Sequence, residues 1–316
     1  VTATAADRAV VHLLRGLGDD AASEVLALLE GRFGPVLLDG FDPASDEQVI
    51  VRAMYLRGRS STDPQASLPS VDAWIAPLLA GEPANRRSRR LGLLACGAAY
   101  FRAGRFESAV TCQSTAVEVS ETEPGRRAAR LELARSLRRG GRAAEALELA
   151  TQVAAARHLE YPDKSDAAVL EAETEELAAL VALGQPVLRR CRDLRQRRVD
   201  RAGFLGWGST EAFVLSARCW MALGQLTAAF SCATVAQLIR ERYPLPRETR
   251  VDVDRLLAET HRQLSTAGPT VDHSLHHSQA ERHATAALEE LRFAYGPHHP
   301  STHEAADLAR WREPFG

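Results

Sequence analysis

The chain has a single lysine. Lys164 stands against 38 arginines among the 316 residues, so almost every positive charge is a planar guanidinium. Such groups suit bidentate pairing with carboxylates better than ammonium groups do. Aromatic residues make up only 6% and alternating β-branched runs are missing, which excludes a β-rich fold. No stretch approaches the roughly 18 consecutive apolar residues of a membrane span. Residues 1–6 lack a basic region followed by an apolar core, so no secretory leader is expected. The formal net charge of -2 makes the whole molecule neither a polycation nor an acidic tail. The five cysteines, Cys96, Cys112, Cys191, Cys219 and Cys232, show no CxxC spacing and mostly fall in apolar helical stretches. They read as small buried thiols of a protein in a reducing cytoplasm. There is no P-loop, GxGxxG, HExxH or GxSxG, so no enzyme, no catalytic residue and no cofactor are expected.

What the sequence does contain is a periodic glycine. Gly104, Gly141, Gly184 and Gly224 follow one another at intervals of 37, 43 and 40 residues. Each ends a stretch with alanine and leucine at i, i+3, i+4, and each precedes another such stretch. A period of this size marks stacked helix pairs. The expected pairs are residues 86–103 with 106–120, 127–139 with 143–157, 166–183 with 186–199, and 210–222 with 226–242. A fifth pair is expected at 247–265 with 279–295, and a last helix at 302–311, capped by Ser301 with Glu304. Earlier helices are expected at 5–15 and 20–32, and then at 46–57 and 70–80. Ser45 and Gln48 form a capping box there, and the Ser-, Thr-, Asp- and Pro-rich residues 58–69 read as a loop. Residues 1–84 form an N-terminal helical region, either diverged repeats or a cap; residues 85–316 form the repeat array with its terminal capping helix.

The stretch around Gly97, Tyr100, Gly104, Phe106, Ala109 and Ala116 resembles a tetratricopeptide repeat: a small residue, an aromatic, a turn glycine, then two alanines. The second unit keeps Leu133, Ala134, Gly141 and Ala146, with Leu137 in the aromatic position. The fourth keeps Ala217, Trp220, Gly224, Ala229 and Ala236. The third is degenerate, with Arg189 where an alanine belongs, which implies a bend or a wider helix pair. Gly296-Pro297-His298-His299-Pro300-Ser301-Thr302 resembles the junction of kinesin-light-chain-type repeats. These resemblances imply an all-α, right-handed superhelical solenoid of six or seven stacked antiparallel pairs, and a bacterial regulatory or adaptor protein.

In that family the first helix of each pair lines a concave surface. Carried over residue by residue, this implies a groove of Phe101, Arg102, Leu131, Arg135, Arg138, Arg139, Val214, Arg218 and Met221, with Thr174, Ala178 and Val181 from the third unit. The groove's arginines suit a protein or peptide partner with acidic residues or a free C-terminal carboxylate. The alternative is that they pair with glutamates of neighbouring helices. A second functional reading makes the array a sensor of a small molecule or signalling peptide that regulates transcription or secondary metabolism.

Two further clusters compete for a role. Seven of the ten histidines lie beyond position 270, and His273, His276 and His277 have metal-ligand spacing if helical. Ser278 with Glu281 reads as a helix start, however, which puts these histidines in a loop at 265–277. No metal is therefore expected, and a metal-dependent enzyme using that loop is the third reading. Arginine-dense stretches lie at 86–90 and at 189–201 (Arg189, Arg190, Arg192, Arg195, Arg197, Arg198, Arg201). Without a helix-turn-helix or interleaved aromatics they do not point to nucleic acid. They read as a solvated face, or as an ion-pair ladder with Glu171, Glu173, Glu175 and Glu176. Residues 203–208 (GFLGWG) read as a linker whose Phe204 and Trp207 pack on the next helix or line a pocket.

Overall fold

A computed structural model describes residues 46–81, 85–266 and 273–310. The expected helices at 5–15 and 20–32, and Ser45 of the capping box, lie outside the described residues. Thirteen α-helices and one 3₁₀ turn account for nearly all of the described chain, and no strand occurs among the described residues. The fold is all-α and tetratricopeptide-like, a solenoid of helix pairs packed on their neighbours. None of the described helices is long and apolar enough to cross a membrane.

The chain divides into two compact units, Val1–Arg142 and Ala143–Gly316. The first contains α1 (Asp46–Thr62), α2 (Pro64–Ala80), α3 (Arg86–Arg102), α4 (Phe106–Glu118) and α5 (Glu123–Arg139). Its core joins Leu56, Trp74, Leu78, Leu93, Cys96 and Cys112. The second contains α6 (Ala143–Glu160), α7 (Ala167–Ala182), α8 (Leu188–Ala202), the 3₁₀ turn Trp207–Ser209, α9 (Thr210–Ala222), α10 (Leu226–Arg242), α11 (Arg247–Ser265), α12 (His273–Tyr295) and α13 (Pro300–Ala309). Its largest core gathers Phe213, Val214, Ile239, Leu245, Leu256 and Leu257.

The periodic glycines explain the pairing. Gly104, Gly141, Gly184 and Gly224 all lie at positive φ, between 69° and 84°. Each closes the same helix-end motif. The following N–H returns to the carbonyl five residues back: Arg105 to Tyr100 at 2.8 Å, Arg142 to Leu137 at 2.8 Å, Gln185 to Leu180 at 2.9 Å and Gln225 to Trp220 at 2.9 Å. A left-handed residue costs a side-chain-bearing amino acid about 1–2 kcal/mol, so glycine recurs there. Gly97 answers a different need. A Cβ there would lie 2.9 Å from Gln113 Cγ, so its smallness sets the close approach of α3 and α4. Tyr100 fills the wedge as expected, buried, with its hydroxyl donating to Asp72 at 2.6 Å.

Three expectations are corrected. Residues 58–69 are not a loop: α1 runs on to Thr62 and α2 begins at Pro64, leaving only Asp63 between them. The polar residues satisfy helix ends instead. Ser60, Ser61 and Thr62 donate to carbonyls of Arg57 and Arg59 at 3.0–3.1 Å, and Asp63 accepts from Ala66 N at 3.0 Å, ahead of Pro64 at the first helical position. Likewise, α12 starts at His273 rather than at the Ser278–Glu281 signal, so the histidines ride a helix. Ser278 lies inside it, donating to Leu275 O at 3.1 Å. Finally, α13 is capped by His299, whose Nδ1 accepts from Ser301 N at 3.1 Å, rather than by Ser301.

Candidate partner-binding site

The inferred groove residues fall on the first helices α3, α5, α7 and α9, and burial sorts them into two kinds. Leu131, Thr174, Ala178 and Val214 are buried. They belong to the packing that carries the surface, and Val181 packs half-buried beside the α7–α8 core. The half-buried residues present chemistry. In the first unit Phe101 meets Phe106 edge to face at 5.7 Å. Arg102 donates to Ser60 Oγ at 3.1 Å. On α5, Arg135 pairs with Glu132 one turn away at 3.0 Å. Arg138 and Arg139 lie half-buried in the last turn, where positive charge complements the helix dipole. In the second unit Arg218 faces Asp252 at 3.4 Å, and Met221 accepts a hydrogen bond from Thr260 at 3.3 Å. The Glu132–Arg135 pair is half-exposed, and such pairs are worth only about 0–1 kcal/mol.

Two α8 arginines make ion pairs of the expected ladder, with Glu173 and Glu176. Arg197 bonds Glu173 at 2.5 Å and Lys164 O at 2.7 Å, and Arg190 bonds Glu176 at 2.6 Å. Arg198 reaches Leu170 O at 3.0 Å, Thr174 Oγ1 at 2.6 Å and Gly208 O at 2.9 Å, and Arg201 reaches Ser165 O at 2.7 Å. The helix buries only Cys191 and Leu194, so α7 and α8 are joined mainly by polar bonds. That fits the degenerate third repeat: α7 packs more extensively on α6 than on α8. In the linker, Phe204 packs edge to face on Phe213 at 5.6 Å while Trp207 stays largely exposed. All five cysteines are buried free thiols, and burial pushes that of Cys112 up to about 12.

Sequence reasoning missed a buried polar cluster between α10, α11 and α12. Asp254 is fully buried and takes an ion pair from Arg240 and a 2.9 Å bond from His283 Nδ1. His283 stacks on His261 with ring centres 6.1 Å apart. His261 Nδ1 lies 2.7 Å from His276 Nδ1, one nitrogen donating and the other accepting. Burial foremost, then His276, His283 and Arg282, holds the His261 imidazole down to about 4, so it is neutral at pH 7. The available signal was Asp254 itself, a carboxylate in the apolar phase of α11 beside Val251, Leu257 and Ala258. No group of three His, Cys, Asp or Glu side chains placed to hold a metal occurs among the described residues. Of the candidate ligands, His276 is committed to His261, His277 is half-buried on α12, and the His273 side chain lies outside the described residues.

No protein-family model and no curated protein sequence matches the chain. A solved structure does: a Rap protein complexed with competence and sporulation factor, at 14% identity and a TM-score of 0.60, covering 95% of this chain and 84% of that one. The two share a fold. A further similarity, to BtubC (BKLC) from P. vanneervenii, has a TM-score of 0.48 at 13% identity and covers 73% of this chain and 90% of that one.

Proposed function

We propose that this chain is a binding module that holds a peptide or a segment of a partner protein against the first helices of its pairs. The observation that carries the reading is the likeness in fold, over 95% of the chain, to a Rap protein complexed with competence and sporulation factor. The local chemistry supports it. Arg102, Arg135, Arg138 and Arg139 are half-buried on α3 and α5, and Phe101 is half-buried next to Arg102 in the last turn of α3. Guanidinium groups next to apolar surface favour a segment with acidic side chains or a free terminal carboxylate. Arg218 offers the same chemistry within the second unit. The five buried thiols suit a reducing, cytoplasmic setting.

A second reading makes the bound segment a signal, with occupancy changing the packing of successive pairs and so regulating another protein. The bound factor in the similar structure favours it. Both readings share one experiment. Wild-type chain and the Arg135→Glu/Arg139→Glu variant are used to capture partners from lysate of the source organism. A partner held by the wild type and lost by the variant is expected. A partner retained equally by both removes the groove from the account.

A further inference from the structure

The ladder on α8 consumes only part of that helix's charge. Arg190, Arg197, Arg198 and Arg201 point towards α7 and the 164–165 turn and are bonded there. Arg189, Arg192 and Arg195 stand at i, i+3, i+6 on another face. Together with Leu188 and Gln196 they line a concavity of about 400 Å³. Arg189 and Arg192 are exposed and meet no acidic or carbonyl partner among the described residues. Arg195 is fixed in place, its guanidinium 5.4 Å over the Phe213 ring and bonded to Cys232 Sγ at 3.2 Å. Asp193 lines the same concavity and is engaged by Arg197 at 2.9 Å, so three guanidinium groups stand here against one carboxylate.

We propose that this face of α8 is a second docking site, taking an acidic helical segment of a partner protein. Three guanidinium groups spread over about 9 Å match carboxylates placed one turn apart on an incoming helix. Leu188 supplies an apolar floor. Because α8 is the second helix of its pair, this surface is distinct from the one proposed above. Nucleic acid fits less well. Its affinity comes from neutralising many phosphates, and this face ends after three cations.

The test uses the full chain and a fluorescent alanine-based helix carrying glutamates at i, i+3 and i+7, with a glutamine version as reference, read by anisotropy at low salt. The wild type is expected to bind the glutamate helix about tenfold or more tighter than the glutamine one, with affinity falling as salt rises. Arg189→Glu/Arg192→Glu is expected to lose that preference. Arg86→Glu/Arg87→Glu, an equal charge change at exposed positions of α3, is expected to keep it. All these positions are exposed, so folding is preserved, which circular dichroism checks. Arg135→Glu/Arg139→Glu separates the two sites: keeping the preference places binding on α8, and losing it assigns binding to the first-helix groove and overturns this proposal. It is also overturned if the wild type shows no preference. The same holds if Arg189→Glu/Arg192→Glu behaves like the α3 control. Tighter binding of a duplex oligonucleotide, lost in the α8 variant, overturns it in favour of nucleic acid.

Discussion

Replacing His261 by phenylalanine isolates the one strongly depressed histidine of the buried cluster. In the fold this imidazole is held down to about 4 against an ordinary 6.5, chiefly by burial and then by His276, His283 and Arg282. The unfolded chain therefore takes up a proton near pH 6.5 that the folded chain refuses until about pH 4. Stability from this group is fully present above pH 6.5, falls through that window, and loses nothing further below it. The shift is worth about 3 kcal/mol across the window. Phenylalanine keeps a flat ring against Phe230, which His261 meets at 5.2 Å, and it does not titrate. It loses the bond to His276, which costs about 1 kcal/mol at neutral pH. Urea unfolding of both proteins at pH 7, 6, 5 and 4, followed by circular dichroism, gives the difference in stability at each pH. Titrating groups outside the cluster cancel in that difference. The advantage of the wild type over the variant should shrink by about 3 kcal/mol between pH 7 and pH 4 and end reversed. A difference that stays flat to within about 1 kcal/mol would refute the assignment of a buried neutral His261.

Other perturbations carry their own magnitudes. Asp254→Ala leaves the Arg240 guanidinium and His283 without their shared carboxylate and should destabilise the chain by about 3–5 kcal/mol in the same urea assay. At Gly206 a Cβ would lie 2.1 Å from Ala202 O, so Gly206→Ala should rearrange the 203–208 turn; a lowered melting temperature and faster amide exchange at the end of α8 are the readouts. Gly224→Ala meets no atom within 4 Å yet forces alanine to a φ of +69°, so it should cost only about 1–2 kcal/mol by denaturant titration. Arg198→Ala removes three bonds that tie α8 to α7 and the 208 carbonyl, and should raise exchange in both helices while leaving α3 and α4 untouched.

Much of the architecture is written in local chemistry that a sequence exposes. Gly104, Gly141, Gly184 and Gly224 were legible because a left-handed helix end selects glycine whatever packs around it. The α7–α8 ladder was legible because glutamates and arginines recur on adjoining helices. Serine, threonine, aspartate and proline mark loops and helix caps alike, so residues 58–69 looked like a loop although a single capping residue, Asp63, turns the chain. At α12 a plausible capping box was overridden by tertiary contact, because His276 is held by His261 of the preceding helix. The His261–Asp254–His283 cluster was hidden for the same reason. Its members come from different helices, and no spacing along the chain foretells their meeting. The resemblance assigned the groove residues to the first helices of the pairs, but the burial of Leu131 and Val214 follows from packing that a single sequence does not display.

In the reading proposed above, the first helices of the pairs receive the partner. Hydrogen–deuterium exchange of the chain, alone and with a partner captured by the wild type, tests it most directly. Protection gathered within the first unit on α3 and α5, around Arg102, Arg135 and Arg139, is the predicted result. Protection confined to the second helix α4, with α3 and α5 unchanged, would contradict it.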